Sequence, residues 1–151
     1  MNRYKKLVVS LITLLMLNFG AYFVEAQTVA PVQKCISPVS VVNNPAMYLN
    51  KEITFEAEFV SFTPLGLNYK PAFRESSKYI GILIRRDDVK DHVIPLSEMK
   101  IFMPREMVEK NNDIDAGDKI KISGIVFSNA LGDPWVDVKN FTVLTKKQKN
   151  K

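Results

Sequence analysis

Ile53-Thr54-Phe55-Glu56-Ala57-Glu58-Phe59 alternates apolar residues with Thr and Glu, the period of a β-strand with one buried and one wet face. Just upstream, Ser37-Pro38 has the form of an N-cap with proline at the first helical position, and Val39, Val42 and Met47 line one face of a short helix ending near Asn50. Asn43-Asn44-Pro45 breaks that helix, because proline disfavours helical geometry in the residue before it. Downstream, a long connection punctuated by Gly66 and Pro71 runs from Thr63 to about Lys78. Residues 79–85 then form a second strand, apolar nearly throughout, and residues 86–91 a charged turn. Residues 93–103 hold one strand or two short ones around Ser97-Glu98, and residues 105–112 suit a short helix with Met107 and Val108 toward the core. A turn at residues 115–118 leads into a strand begun by Ile120 and Ile122 and continued to Phe127. Residues 129–134 make a loop, and Trp135, Val136, Val138, Phe141 and Val143 belong to a last strand.

Five strands with a helix between the third and fourth is the order of the OB fold, a partly open Greek-key barrel. The expected fold class is therefore mainly β: an OB-like five-stranded Greek-key barrel with short helices before strand 1 and between strands 3 and 4. Gly124 suits a barrel strand that must bend to serve both sheets.

Two motifs carry a family resemblance. Residues 44–57, beginning Asn44-Pro45-Ala46-Met47-Tyr48, resemble the NPxxYxxKxVxVxG entry of small exported bacterial OB-fold proteins, including those called tRNA-anti-codon-like. Residues 117–124, beginning Gly117-Asp118-Lys119, resemble their GDxVxVxG fourth strand. The resemblance spans residues 38–145 and implies the fold more than an activity, since one fold hosts many functions. Ala57 departs from the pattern, standing where glycine is usual, and the first loop is longer. A related OB fold, the periplasmic haem chaperone of cytochrome maturation, is set aside because it needs a histidine near a tyrosine on a C-terminal tail, whereas His92 lies in mid-chain.

The N-terminus carries Arg3, Lys5 and Lys6, an apolar run over residues 7–23, and then Val24-Glu25-Ala26, the arrangement of a secretory signal cut before Gln27. The expected organisation is a signal peptide at 1–26, a linker at 27–37, the OB-like domain at 38–145 and a Lys-rich disordered tail at 146–151. Export to the periplasm or outside the cell follows. Retention of the apolar run as an anchor, the only membrane contact expected, stays open.

The chain has 151 residues and a formal net charge of +5, but residues 27–145 hold fourteen basic against fifteen acidic side chains. The positive charge thus belongs to the two ends, and on this ground nucleic acid ranks low among expected partners, behind an envelope protein or a small anionic ligand. A single cysteine, Cys35, excludes an internal disulfide and leaves the core to hold the domain. The oligomeric state stays open.

No catalytic, cofactor or metal constellation is expected. One histidine and one distant cysteine cannot fill a zinc site. Asp87, Asp88 and Asp91 sit among Arg85, Arg86 and Lys90, which oppose a cation, and Ser61, Ser76 and Ser77 lack an oriented base. What remains is a set of interleaved aromatic and basic residues. OB folds bind with the loops between strands one and two and between four and five. Tyr69, Lys70, Phe73, Arg74, Arg85 and Trp135 are accordingly the expected contacts for a ligand or partner. The leading expectation is a non-enzymatic binding or assembly module of the bacterial cell envelope. The alternative is a single-stranded nucleic-acid binding protein acting outside the cytoplasm.

Overall fold

A computed structural model describes residues 34–148; the expected signal peptide and most of the linker lie outside the described residues. Two short helices, α1 (Pro38–Asn43) and α2 (Pro45–Tyr48), precede five strands: β1 (Glu52–Thr63), β2 (Tyr79–Ile84), β3 (Lys100–Pro104), β4 (Lys119–Ser128) and β5 (Trp135–Thr145). A further helix, α3 (Arg105–Glu109), joins β3 to β4. The strands close into a barrel in the order β1-β2-β3-β5-β4, with every pairing antiparallel except that of β3 with β5. This is the OB-type barrel expected from the element order.

β1 is long enough to serve two neighbours. Its first half pairs with β4 from Glu52 to Glu58, and its second half pairs with β2 from Phe59 to Thr63. Val60 is the extra residue of a bulge between Phe59 and Ser61, which resets the alternation so that Phe59 and Phe62, three apart, both reach the core side. The core contains Ile53, Phe55, Phe59, Ile82, Ile84, Ile101, Met103, Ile120, Ile122, Val126, Val136 and Val138. Gly124 is buried where β4 crosses β5. A Cβ there would stand 2.9 Å from Val136 Cγ1 and closer still to the Asp137 carbonyl, so the strands approach only because the side chain is missing.

Three local expectations are corrected. Pro38 and Val41, rather than Met47, are the buried residues of the N-terminal helical segment; beyond the break at Asn44, Tyr48 packs on the core and Met47 is 64% exposed. The third strand is confined to residues 100–104, because Pro95 makes only an isolated bridge to Arg85 and Val93 and Ile94 are exposed. Lys146 and Lys147, expected in a disordered tail, are held at the barrel. The buried Asp118 carboxylate accepts the Lys147 backbone N–H at 2.8 Å and lies 3.3 Å from Lys146 Nζ.

Candidate functional site

Alternation along β3 and β5 sends Ile101, Met103 and Val136 into the barrel and their neighbours Phe102 and Trp135 to its outer wall. An exposed Phe and Trp side by side would be costly, and the loop between β1 and β2 covers them. Leu67 and Ala72 of that loop are buried against Phe102 and Trp135, with Tyr69, Tyr79, Phe127 and Ala130 packed around. Gly66, at φ +82°, lets the loop backbone lie on the rings; a Cβ there would touch Phe102 and Trp135 at 3.4 Å. The outer wall of β3 and β5 thus carries a second, smaller hydrophobic core roofed by residues 64–74.

That roof is tied down chiefly by side chains. The backbone hydrogen bonds of residues 66–74 close within the loop: Leu67 donates to Pro64, Tyr69 to Gly66, Ala72 to Tyr69 and Arg74 to Leu67. Tyr69 stacks on Trp135, with ring centroids 5.3 Å apart and planes 26° from parallel. Arg74 donates from Nε and Nη2 to the two oxygens of Asp137 on β5 at 2.8 and 2.6 Å. Its guanidinium carbon lies 3.6 Å from the Phe127 ring centroid, a stacking contact that arginine makes better than lysine. The hydrogen bond to Asp137 holds the Arg74 pKa above its ordinary value against the opposing effect of burial.

The structure brings five of the six expected contact residues to one end of the barrel. Lys70 and Phe73 are open to solvent, Phe73 at 50%. Tyr69 and Arg74 are half-buried. Trp135 is buried and its indole N–H donates to the Ala130 carbonyl at 2.7 Å, so it supports the surface from beneath. Arg85 is elsewhere: it pairs with Glu58 at 3.2 Å and lines a separate cleft of about 280 Å³ with Pro38, Glu56, Asp87 and Lys90. Arg85 follows β2 directly, and there it faces Glu58 of β1 and donates to the Lys90 carbonyl of the turn beyond.

Phe127 and Asp137 are the site residues that sequence reasoning missed. A signal existed for the second, since Asp137 is a lone acid inside the apolar run Trp135-Val136-Asp137-Val138 and therefore needs a cationic partner. His92 is exposed, and among the described residues no three His, Cys, Asp or Glu side chains gather as a metal site would require.

These features define the chain as an OB-fold protein whose first loop is folded back over the barrel wall. No family model matches the chain, and no curated protein matches it. Among solved structures, a chain described as an aspartyl-tRNA synthetase from Leishmania major Friedlin is similar to it with a TM-score of 0.50 at 14% identity, over 83% of this chain and 23% of that one. An asparaginyl-tRNA synthetase from Pyrococcus horikoshii, complexed with asparaginyl-adenylate, gives a TM-score of 0.44 at 16% identity, over 67% of this chain and 20% of that one. The protein therefore spans under a quarter of the length of these chains, and at these identities the likeness is one of fold. It nonetheless corrects the low rank that charge balance gave to nucleic acid. A barrel of this kind occurs in a chain described as a tRNA synthetase, which stands against ranking nucleic acid low on charge balance alone. Stacking and local cations decide such binding more than the total charge does.

Proposed function

We propose that this protein binds single-stranded nucleic acid, outside the cytoplasm and without catalysis, through the barrel end bounded by residues 65–78 and 129–135. The observation that carries this reading is the pairing of Phe73, half exposed, with exposed Lys70 on a loop braced from below by Trp135 and Phe102. Single-strand binders combine such aromatic faces with cations that follow the backbone. The loops are also those with which OB barrels grip oligonucleotides.

The test is a fluorescence-anisotropy titration of a labelled single-stranded oligonucleotide at several salt concentrations. If the footprint neutralises about three phosphates, the log–log salt slope is about −2. Absence of binding at low salt would overturn the reading.

A second reading is an assembly module of the bacterial cell envelope. It is favoured by Leu65, Phe73 and Leu131, exposed by 59%, 50% and 70% on the two rim loops, since clustered apolar side chains suit a protein surface. Retention of an envelope protein by the wild type, and its loss on replacing these three residues, would favour this reading over the first.

A further inference from the structure

Arg74 is held in a manner that a base would reproduce. Its planar guanidinium lies at stacking distance from Phe127 and presents two parallel N–H donors to both oxygens of Asp137. Guanine carries the same chemical unit. Its N1–H and 2-amino group form a flat edge with two parallel donors that a carboxylate accepts as a pair, and its ring stacks on aromatic faces. Uracil and thymine present one such donor; adenine and cytosine present an amino group beside an acceptor.

We propose that Phe127 and Asp137 form a guanine-binding slot that Arg74 plugs in the unliganded protein. This deepens the nucleic-acid reading, on which the slot's use rests, by naming the base. Vacating the slot requires no unfolding, because Arg74 is a side chain at the end of the loop and about a quarter of it is already exposed. The loop stays seated through Leu67, Ala72 and Tyr69. A place for the nucleotide's phosphate adjoins the slot. Tyr79, whose ring is 6.0 Å from the Arg74 guanidinium carbon, also lines a cleft of about 390 Å³ with Ser77, Lys78, Pro104, Arg105 and Glu106. Lys78 and Arg105 outnumber the one acid there, although Lys78 also pairs with Glu75.

Trp135, the chain's single tryptophan, reports the test without a label. Guanosine monophosphate and inosine monophosphate, which lacks the 2-amino donor, are titrated against Arg74→Ala while its emission is followed. The expected result is at least tenfold tighter uptake of guanosine monophosphate than by the wild type, and at least a tenfold preference over inosine monophosphate. Adding Asp137→Asn should abolish that preference. A folded Arg74→Ala protein that takes neither nucleotide, or both equally, overturns the proposal. If circular dichroism shows that this variant does not fold, Arg74→Lys keeps the stem and the charge but not the parallel donors. It should bind guanosine monophosphate at least threefold tighter than wild type, and no gain overturns the slot. Oligonucleotide binding by the wild type without nucleotide uptake by the variant sinks the slot alone. The converse supports the slot and sinks the polymer reading.

Discussion

The Asp118 carboxylate accepts the backbone N–H of Lys147, 29 residues further along the chain, at 2.8 Å and that of Asp115, in its own turn, at 3.0 Å. It thereby fastens the end of β5 to the turn that opens β4. The bond from Asp115 is the largest of the contacts that hold its pKa below the usual aspartate value, and those from Lys147 and Lys146 add to it, against burial. A depressed folded-state pKa means stability that is present above the ordinary value near 4 and is lost as pH falls through the folded-state value. Asp118→Asn should lower stability at neutral pH by about 2 kcal/mol, by weakening the charge-assisted bonds that its buried carboxylate accepts from the two backbone N–H groups. It should also flatten the acid limb of a stability-versus-pH curve measured by urea unfolding. An unchanged acid limb would show that the clamp does not titrate with folding.

Trp135 and Tyr69 touch face to face but should differ in cost when removed. Trp135 is wholly buried and braces the rim through its bond to the Ala130 carbonyl, so Trp135→Ala should cost about 3–5 kcal/mol. Tyr69 is only partly buried, and Tyr69→Ala should cost about 1–2 kcal/mol, chiefly the stacking and part of the burial. Chemical denaturation followed by circular dichroism compares the two directly. Equal costs would mean that the loop and the barrel wall unfold as one unit.

How much of this was legible depends on which faces of a strand are wet. β1 announces itself because Glu56 and Glu58 face solvent while Phe55 and Phe59 do not. β3 does not, because Ile101, Phe102 and Met103 are all buried, on opposite walls, and a strand covered on both sides has no period to read. The second core was illegible for the same reason: nothing in residues 64–74 says which surface they will cover. Aromatic and basic residues could be assigned to that loop, but Trp135 is expected at the surface because the residues that cover it, Leu67, Tyr69 and Ala72, lie 63 to 68 positions earlier in the chain. The Arg74–Asp137 pair spans 63 residues, and only the folded register brings it together.

Gly124 supplies a test of barrel closure. A Cβ at this position would overlap the Asp137 carbonyl across the β4–β5 pair and crowd Val136. Backbone cannot give way as the tip of a side chain can, so Gly124→Ala should cost about 1–3 kcal/mol as overpacking. Gly132, with φ +80° but open space around it, should be strained by alanine only through its backbone, at about 1 kcal/mol. Thermal unfolding of the two variants should rank Gly124→Ala below Gly132→Ala. The reverse ranking would mean that the strands separate there at little cost.

Lys70 and Phe73 offer the cleanest separation of binding from folding. Both are exposed, and neither belongs to the loop's small core, so alanine at either should change stability by no more than about 0.5 kcal/mol. Their effects on oligonucleotide affinity should differ in kind. Loss of a stacking ring costs about 1–3 kcal/mol per base, so Phe73→Ala should weaken binding at every salt concentration and leave the salt slope unchanged. Loss of a phosphate contact acts through counterion release, so Lys70→Ala should reduce the slope by about 0.7 and matter most at low salt. Anisotropy titrations at three salt concentrations distinguish the two signatures. If both variants bind as the wild type does, the nucleic acid lies away from the rim, and the Arg85 cleft becomes the next surface to change.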